Sequence, residues 1–126
     1  MRALLLAAGL GMRLRPITNS VPKCLVEING RPLLDYWIEL LSQGGITEIL
    51  INLHYMPKAV RAHLENCDYP IKITTVYEKR LLGTGGTLLK NRENFRHESL
   101  MLVAHHQSVS LHHLLHPVSW YVQKKQ

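Results

Sequence analysis

Cysteine is scarce in this chain. Cys24 and Cys67 are its only two thiols, and their spacing builds no disulfide framework. A reducing, cytoplasmic setting is therefore expected. No apolar stretch approaches the roughly 20 residues needed to span a membrane, so no membrane partner is expected. Met1-Arg2 and the apolar Ala3–Leu10 segment superficially imitate a signal peptide, but Gly9 and Gly11 interrupt the run. Arg13 and Arg15 then stand where a cleavage region would need small residues. Basic residues outnumber acidic ones, 15 to 9, for a formal net charge of +6, yet they form no long basic run. That spread makes nucleic acid the weaker reading of the excess and favours a small polyanion. With 126 residues, 46% hydrophobic and 19% charged, the chain fits one ordinary globular domain rather than a disordered one.

Short apolar runs alternate with helical stripes. Ala3–Ala7 is a continuous apolar run bounded by glycine, as in a strand buried on both faces. A loop over residues 9–23 follows, punctuated by Pro16 and Pro22. Cys24–Ile28 reads as a second short strand closed by the turn pair Asn29-Gly30. Pro32 suits a first helical turn, and Leu33, Leu34, Trp37, Leu40 and Leu41 form a stripe ending at Gly44-Gly45. Thr47–Leu53 and Ile71–Tyr77 read as strands, with a helix opened by Pro57 between them that carries Val60, His63 and Leu64 on one side. Residues 83–91 read as a glycine-rich loop leading into a third helix, and Ser99–Ala104 as another buried strand. This alternation predicts an α/β fold: a Rossmann-like, mainly parallel sheet with helices on both faces.

The loop after the first strand, Leu6-Ala7-Ala8-Gly9-Leu10-Gly11-Met12-Arg13-Leu14, carries the chemistry. Small residues allow close backbone approach to an anion, and successive N–H groups can form an anion-binding concavity. Arg13 adds a fork of donors matched to phosphate oxygens. The bland alternative is a glycine-rich turn with a solvated arginine. Two familiar phosphate motifs fail. The dinucleotide fingerprint needs a third glycine where Leu14 stands, and the P-loop pattern is absent.

Three further segments make the pattern specific: Arg15-Pro16-Ile17-Thr18, Val21-Pro22-Lys23-Cys24-Leu25 and Gly30-Arg31-Pro32-Leu33-Leu34. Together with Leu82-Gly83-Thr84-Gly85-Gly86-Thr87, the chain resembles the sugar-1-phosphate nucleotidyltransferases, especially their mannose-1-phosphate guanylyltransferase-like and glucose-1-phosphate-type members. That resemblance implies transfer of NMP from a nucleoside triphosphate to a sugar 1-phosphate, with pyrophosphate leaving. It implies that Leu6, Ala7, Ala8, Gly9, Gly11 and Met12 surround the nucleotide, the small residues wrapping the triphosphate through backbone groups. Arg13 and Lys23 would be the catalytic cations, Arg13 on the β- and γ-phosphates and Lys23 beside the α-phosphate and the sugar phosphate. Glu78, Gly83, Thr84 and Gly85 would meet base and ribose. Alone, Lys23 reads as a surface lysine and Glu78 as a solvated strand-end acid. The implied chemistry needs no protein nucleophile, since it rests on positioning and on cancelling charge with Arg, Lys and Mg²⁺.

The tail departs from the family pattern. A short turn carrying a metal-binding Asp should follow Leu100–Ala104, but the chain reads His105-His106-Gln107-Ser108, and no Asp or Glu occurs after Glu98. Relatives normally continue for roughly another hundred residues, so a truncated nucleotidyltransferase domain is expected. Residues 1–104 would be its nucleotide-binding part and 105–126 a divergent tail. Codons for Gln107–Leu114 can be chosen that, read one base later, give Asn-Leu-Ser-Val-Phe-Thr-Thr, so a shifted reading frame is one account of the tail. Five of the eight histidines lie between His105 and His116; a metal-binding tract and an amphipathic helix over Leu111, Leu114 and Leu115 are the alternatives. Loss of a C-terminal half would expose apolar sheet and favour self-association. A non-catalytic nucleotide-binding fragment and an inactive gene product both stay open beside the enzyme.

Overall fold

The computed structural model describes residues 1–95 and the strand at 100–104. Strand β1 (Arg2–Leu6) is followed by three single 3₁₀ turns, at Met12–Leu14, Ile17–Asn19 and Lys23–Leu25. A two-stranded hairpin, β2 (Glu27–Ile28) and β3 (Arg31–Pro32), leads into helix α1 (Leu33–Gln43). Then come β4 (Glu48–Leu53), α2 (Pro57–Asn66), β5 (Lys72–Tyr77), α3 (Gly83–Lys90) and β6 (Leu100–Ala104).

The main sheet has the order β5-β4-β1-β6, and every pair in it is parallel. Ala3, Leu4 and Leu5 are fully buried in its centre, as their uninterrupted apolar run requires. Successive strand residues point to opposite faces. Ala3, Leu5, Ile49, Ile51 and Leu53 meet Leu34, Ile38 and Leu41 of α1 and Val60 of α2 in one apolar core. Leu4, Leu50 and Asn52 therefore face the other way, where the Asn52 amide reaches Thr87 of α3. Right-handed crossovers explain the split. The connections β1–β4 and β4–β5 step in one direction and place α1 and α2 on one face. The return from β5 to β6 carries α3 over the other. Helices on both faces, inferred from the alternation, are what the sheet has.

Three sequence expectations need correction. Cys24 is not in a strand: Lys23–Leu25 forms a tight turn, and pairing is confined to Glu27–Ile28, around Asn29 and Gly30 at φ of 53° and 76°. Pro32 ends the hairpin, at ψ 141°, and α1 starts one residue later. The third correction concerns residues 83–91, where α3 begins at Gly83 itself and the loop is confined to residues 78–82. Glycine is a poor helix former, but tertiary contacts override that weak prior here. A Cβ on Gly86 would lie 2.9 Å from Leu82 Cβ, and buried Thr87 ties the helix to Glu78.

Among the described residues no helix is long and apolar enough to cross a membrane.

Candidate nucleotide site

Ligands of doubly wound sheets sit in the crevice beyond the carboxyl ends of the strands. Here β1, β4 and β5 deliver their ends to one cleft of about 310 Å³. Its lining comprises Leu6, Ala7, Ala8 and Gly9 after β1, Lys23 and Cys24 from the long loop, and Asn52 in β4. Glu78 after β5 and Leu81, Gly83, Thr84 and Thr87 around the start of α3 complete it.

A buried polar network fixes the walls. The Ala7 N–H donates to Asn52 Oδ1 at 2.7 Å, locking the first residue past β1. The Asn52 amide nitrogen in turn lies 3.3 Å from Glu78 Oε1 and 3.5 Å from Thr87 Oγ1. The Thr87 hydroxyl donates to the same Glu78 oxygen at 2.5 Å. Glu78 is 1% exposed, and its backbone N–H extends the ladder to Leu53 O at 2.7 Å. The other carboxylate oxygen, Oε2, is buried and meets no donor among the described residues. Desolvating such an oxygen without a partner is costly, which makes it a ready acceptor for a ligand N–H. His54 Nδ1, 2.7 Å from Glu78 O, must carry its proton on that nitrogen, since a carbonyl only accepts.

The long loop is pinned by its own contacts. Gly11 adopts φ +63°, and a Cβ there would stand 2.7 Å from Thr18 Cγ2 and 3.2 Å from Lys23 Cβ. Buried Thr18 donates through Oγ1 to Gly11 O at 2.6 Å, and Tyr55 donates its hydroxyl proton to Thr18 O at 2.7 Å. Tyr36 does the same to Ile28 O at 2.8 Å. Lys23 is held partly buried in this frame. Burial and the charge of Arg13 lower its pKa from the ordinary 10.5. The charges of Lys23 and Arg13 thus act on one another across the loop, and an anion beside Lys23 would favour its charged form. The thiol of Cys24 is pushed up to about 12 by burial and serves as an apolar wall.

The cleft unites Leu6, Ala7, Ala8, Gly9, Lys23, Glu78, Gly83 and Thr84. It does not include Gly11, Met12, Arg13 or Gly85 in its lining. Met12 and Arg13 lie exposed on the loop rim, and Gly85 is exposed in the first turn of α3. Glu78 is a buried network member rather than a solvated strand-end acid. Sequence reasoning missed Asn52; the available signal was a lone amide inside the apolar run Ile49–Leu53.

Magnesium demands near-octahedral oxygen ligation, usually with one or two carboxylates. Glu78 is the cleft's one carboxylate among the described residues, and its Oε1 is already engaged. These residues do not fit a protein-held Mg²⁺, and the turn where an Asp was expected, like the histidine tract and helix anticipated at 105–116, lies outside the described residues.

The profile of the family described as "Nucleotidyl transferase" matches residues 2–126. The chain belongs to the nucleotidyl transferase family. A probable mannose-1-phosphate guanylyltransferase of Oryza sativa subsp. japonica is 40% identical over 95 residues, 74% of this chain and 26% of the relative. The mannose-1-phosphate guanyltransferase of Saccharomyces cerevisiae is 40% identical over 90 residues, 70% of this chain and 25% of its own length. The chain thus spans about a quarter of the length of these relatives. Among solved structures, UDP-glucose pyrophosphorylase complexed with UDP-glucose superposes with a TM-score of 0.69 at 21% identity, over 81% of this chain and 44% of that one. CTP:phosphocholine cytidylyltransferase from Streptococcus pneumoniae gives a TM-score of 0.64 at 31% identity, over 81% and 43%. These neighbours share the Rossmann-like sheet.

Proposed function

We propose that residues 1–104 are the nucleotide-binding part of a transferase that moves NMP from an NTP to a sugar 1-phosphate, releasing pyrophosphate. One observation carries the reading. The small-residue turn Ala7–Gly9, the partly buried Lys23 and Glu78, whose buried Oε2 meets no donor among the described residues, line a single cleft at the strand ends. A triphosphate needs the first two, and a base with N–H donors answers the third. Guanine suits it best, because its Watson–Crick edge offers adjacent N–H donors to a carboxylate. The names of the sequence relatives, guanylyltransferases for mannose 1-phosphate, point to the same base and sugar.

In this reading Ala8 and Gly9 approach the phosphates through their backbone, with Leu6, Ala7, Gly11 and Met12 shaping the turn. Lys23 neutralises the α-phosphate, and Arg13 at the rim reaches the outer phosphates. Gly83, Thr84 and Gly85 flank the ribose. Pyrophosphate release from GTP plus mannose 1-phosphate with Mg²⁺ tests the enzyme, with the other NTPs and hexose 1-phosphates as controls. NTP affinity should also fall with rising pH, beginning below the ordinary lysine pKa of 10.5, as Lys23 loses its proton. A pH-independent affinity over that range would remove Lys23 from the site.

A second reading follows from the segment after Ala104, which reads His105-His106-Gln107-Ser108 where the resemblance places a metal-binding Asp. The chain then binds nucleotide without turning it over, and GTP binding by calorimetry with no pyrophosphate release identifies that case.

A further inference from the structure

On the α1–α2 side of the sheet, away from the cleft, three polar side chains converge on one histidine nitrogen. His63 Nε2 lies 2.7 Å from Asp35 Oδ1, 3.1 Å from the Tyr69 hydroxyl and 3.8 Å from Cys67 Sγ. A single N–H can satisfy only one of these neighbours well. The ligating atoms of Asp35, His63 and Cys67 all lie within 4.8 Å of one another. His63 and Cys67 are four residues apart, at the end of α2, a spacing that sets both on one helix face. The three residues are half-buried. A cavity of about 450 Å³ opens beside Asp35, Cys67 and Tyr69 and provides an entry path and room for a water.

We propose that Asp35, His63 and Cys67 form a binding site for Zn²⁺ or a similar borderline-soft divalent ion. Tetrahedral zinc with N, O and S ligands puts neighbouring ligand atoms roughly 3.3–3.7 Å apart. The His63–Cys67 distance is already near that, and Asp35 needs to withdraw by about half an ångström. Binding releases the Cys67 thiol proton to solvent, while the His63 ring proton shifts from Nε2 to Nδ1, so the imidazole stays neutral and Nε2 is free to ligate. One carboxylate, one thiolate and a neutral imidazole then cancel the dication, which suits a half-buried position. The thiolate and imidazole select against Mg²⁺ and Ca²⁺, which take oxygen ligands. Tyr69 donates its hydroxyl proton to Asp35 Oδ1 at 2.7 Å, and burial together with that hydrogen bond keeps its pKa high. It therefore orients the carboxylate as a neutral donor, as outer partners of metal ligands do. A cavity water supplies the fourth position.

The test must see sulfur, because a histidine-rich tract such as the five between His105 and His116 can take up metal by itself. Reduced, chelator-stripped full chain is titrated with Co²⁺ and followed in the near ultraviolet. A thiolate-to-cobalt charge-transfer band is expected, displaced by Zn²⁺, lost in Cys67→Ser and retained in Cys24→Ser. Asp35→Asn should weaken Zn²⁺ binding at that band by about tenfold or more. No band in the wild type, or a band that survives Cys67→Ser, overturns the site. Should Cys67→Ser fail to fold, iodoacetamide labelling of the wild type answers the same question. Zn²⁺ should shield Cys67 at least about tenfold, and equal labelling with and without Zn²⁺ overturns the proposal.

Discussion

Ile51 and Asn52 are neighbours in β4 that point to opposite faces of one sheet, and the two faces follow different rules. Ile51 enters an apolar core closed by α1 and α2, where only volume and shape matter. Asn52 enters a polar network that joins the ends of β1 and β5 to α3 and forms the cleft wall. One face supplies stability by removing apolar surface from water. The other spends buried polar groups, each of which has to be satisfied, to place a carboxylate and a turn N–H. The strand can serve both because side chains alternate at every residue.

The sharpest way to break this division is Ile51→Ala. Ile51 is fully buried, so the lost methyl groups and the cavity left behind should cost about 2–5 kcal/mol in chemical denaturation. Nucleotide affinity, measured where the variant is still folded, should be unchanged. A loss of affinity equal to that of Asn52 variants would show that the two faces are not separable.

Gly11→Ala should come next. At φ +63° the new methyl lies 2.7 Å from Thr18 Cγ2, and Thr18 cannot swing away without losing its bond to Gly11 O. Strained backbone of this kind costs about 1–3 kcal/mol. The damage should fall on the loop, so the denaturation midpoint drops while nucleotide affinity drops with it. Asn52→Leu keeps the branching at Cγ, in a larger side chain, but strands the Ala7 N–H and removes a donor from Glu78 Oε1. Leaving buried groups unpaired should cost about 1–3 kcal/mol. Unlike Ile51→Ala, it should also weaken GTP binding markedly in calorimetry.

The apolar face was the legible one. Uninterrupted runs at Ala3–Leu5 and Ile49–Ile51, the Gly44-Gly45 stop and Pro57 at the start of α2 all follow from local rules that burial reinforces. On the polar face local rules mislead. Gly83-Thr84-Gly85-Gly86 has loop composition yet winds into α3, because Gly86 lets Leu82 approach and Thr87 is tied to Glu78. Asn52 hides inside an apolar run, since its partners lie 45, 26 and 35 residues away in sequence. Glu78 next to Lys79 and Arg80 looks solvated, and only the fold buries it. The motifs of the long loop were recognisable as a pattern. Which of their side chains line the cleft, as Lys23 does, and which stay at its rim, as Arg13 and Met12 do, depends on three tight turns that no periodicity announces.

The finest test of the polar face is Thr87→Val. Valine matches threonine in shape, so packing against Asn52 and Glu78 is preserved while one hydroxyl goes. Glu78 Oε1 then keeps only the amide of Asn52, at 3.3 Å, and Asn52 loses its weaker 3.5 Å contact. Because the acceptor retains a partner, the cost should be about 0.5–1.5 kcal/mol, below that of Asn52→Leu. Freed of its short bond from Thr87, the carboxylate can rotate, so discrimination between GTP and ITP should narrow. Those two bases differ by the single exocyclic amino group that the proposed binding mode sets against the carboxylate. Unchanged discrimination with the expected stability loss would mean that Thr87 supports α3 but leaves Glu78 in place. Asn52 alone would then be what aims the acid.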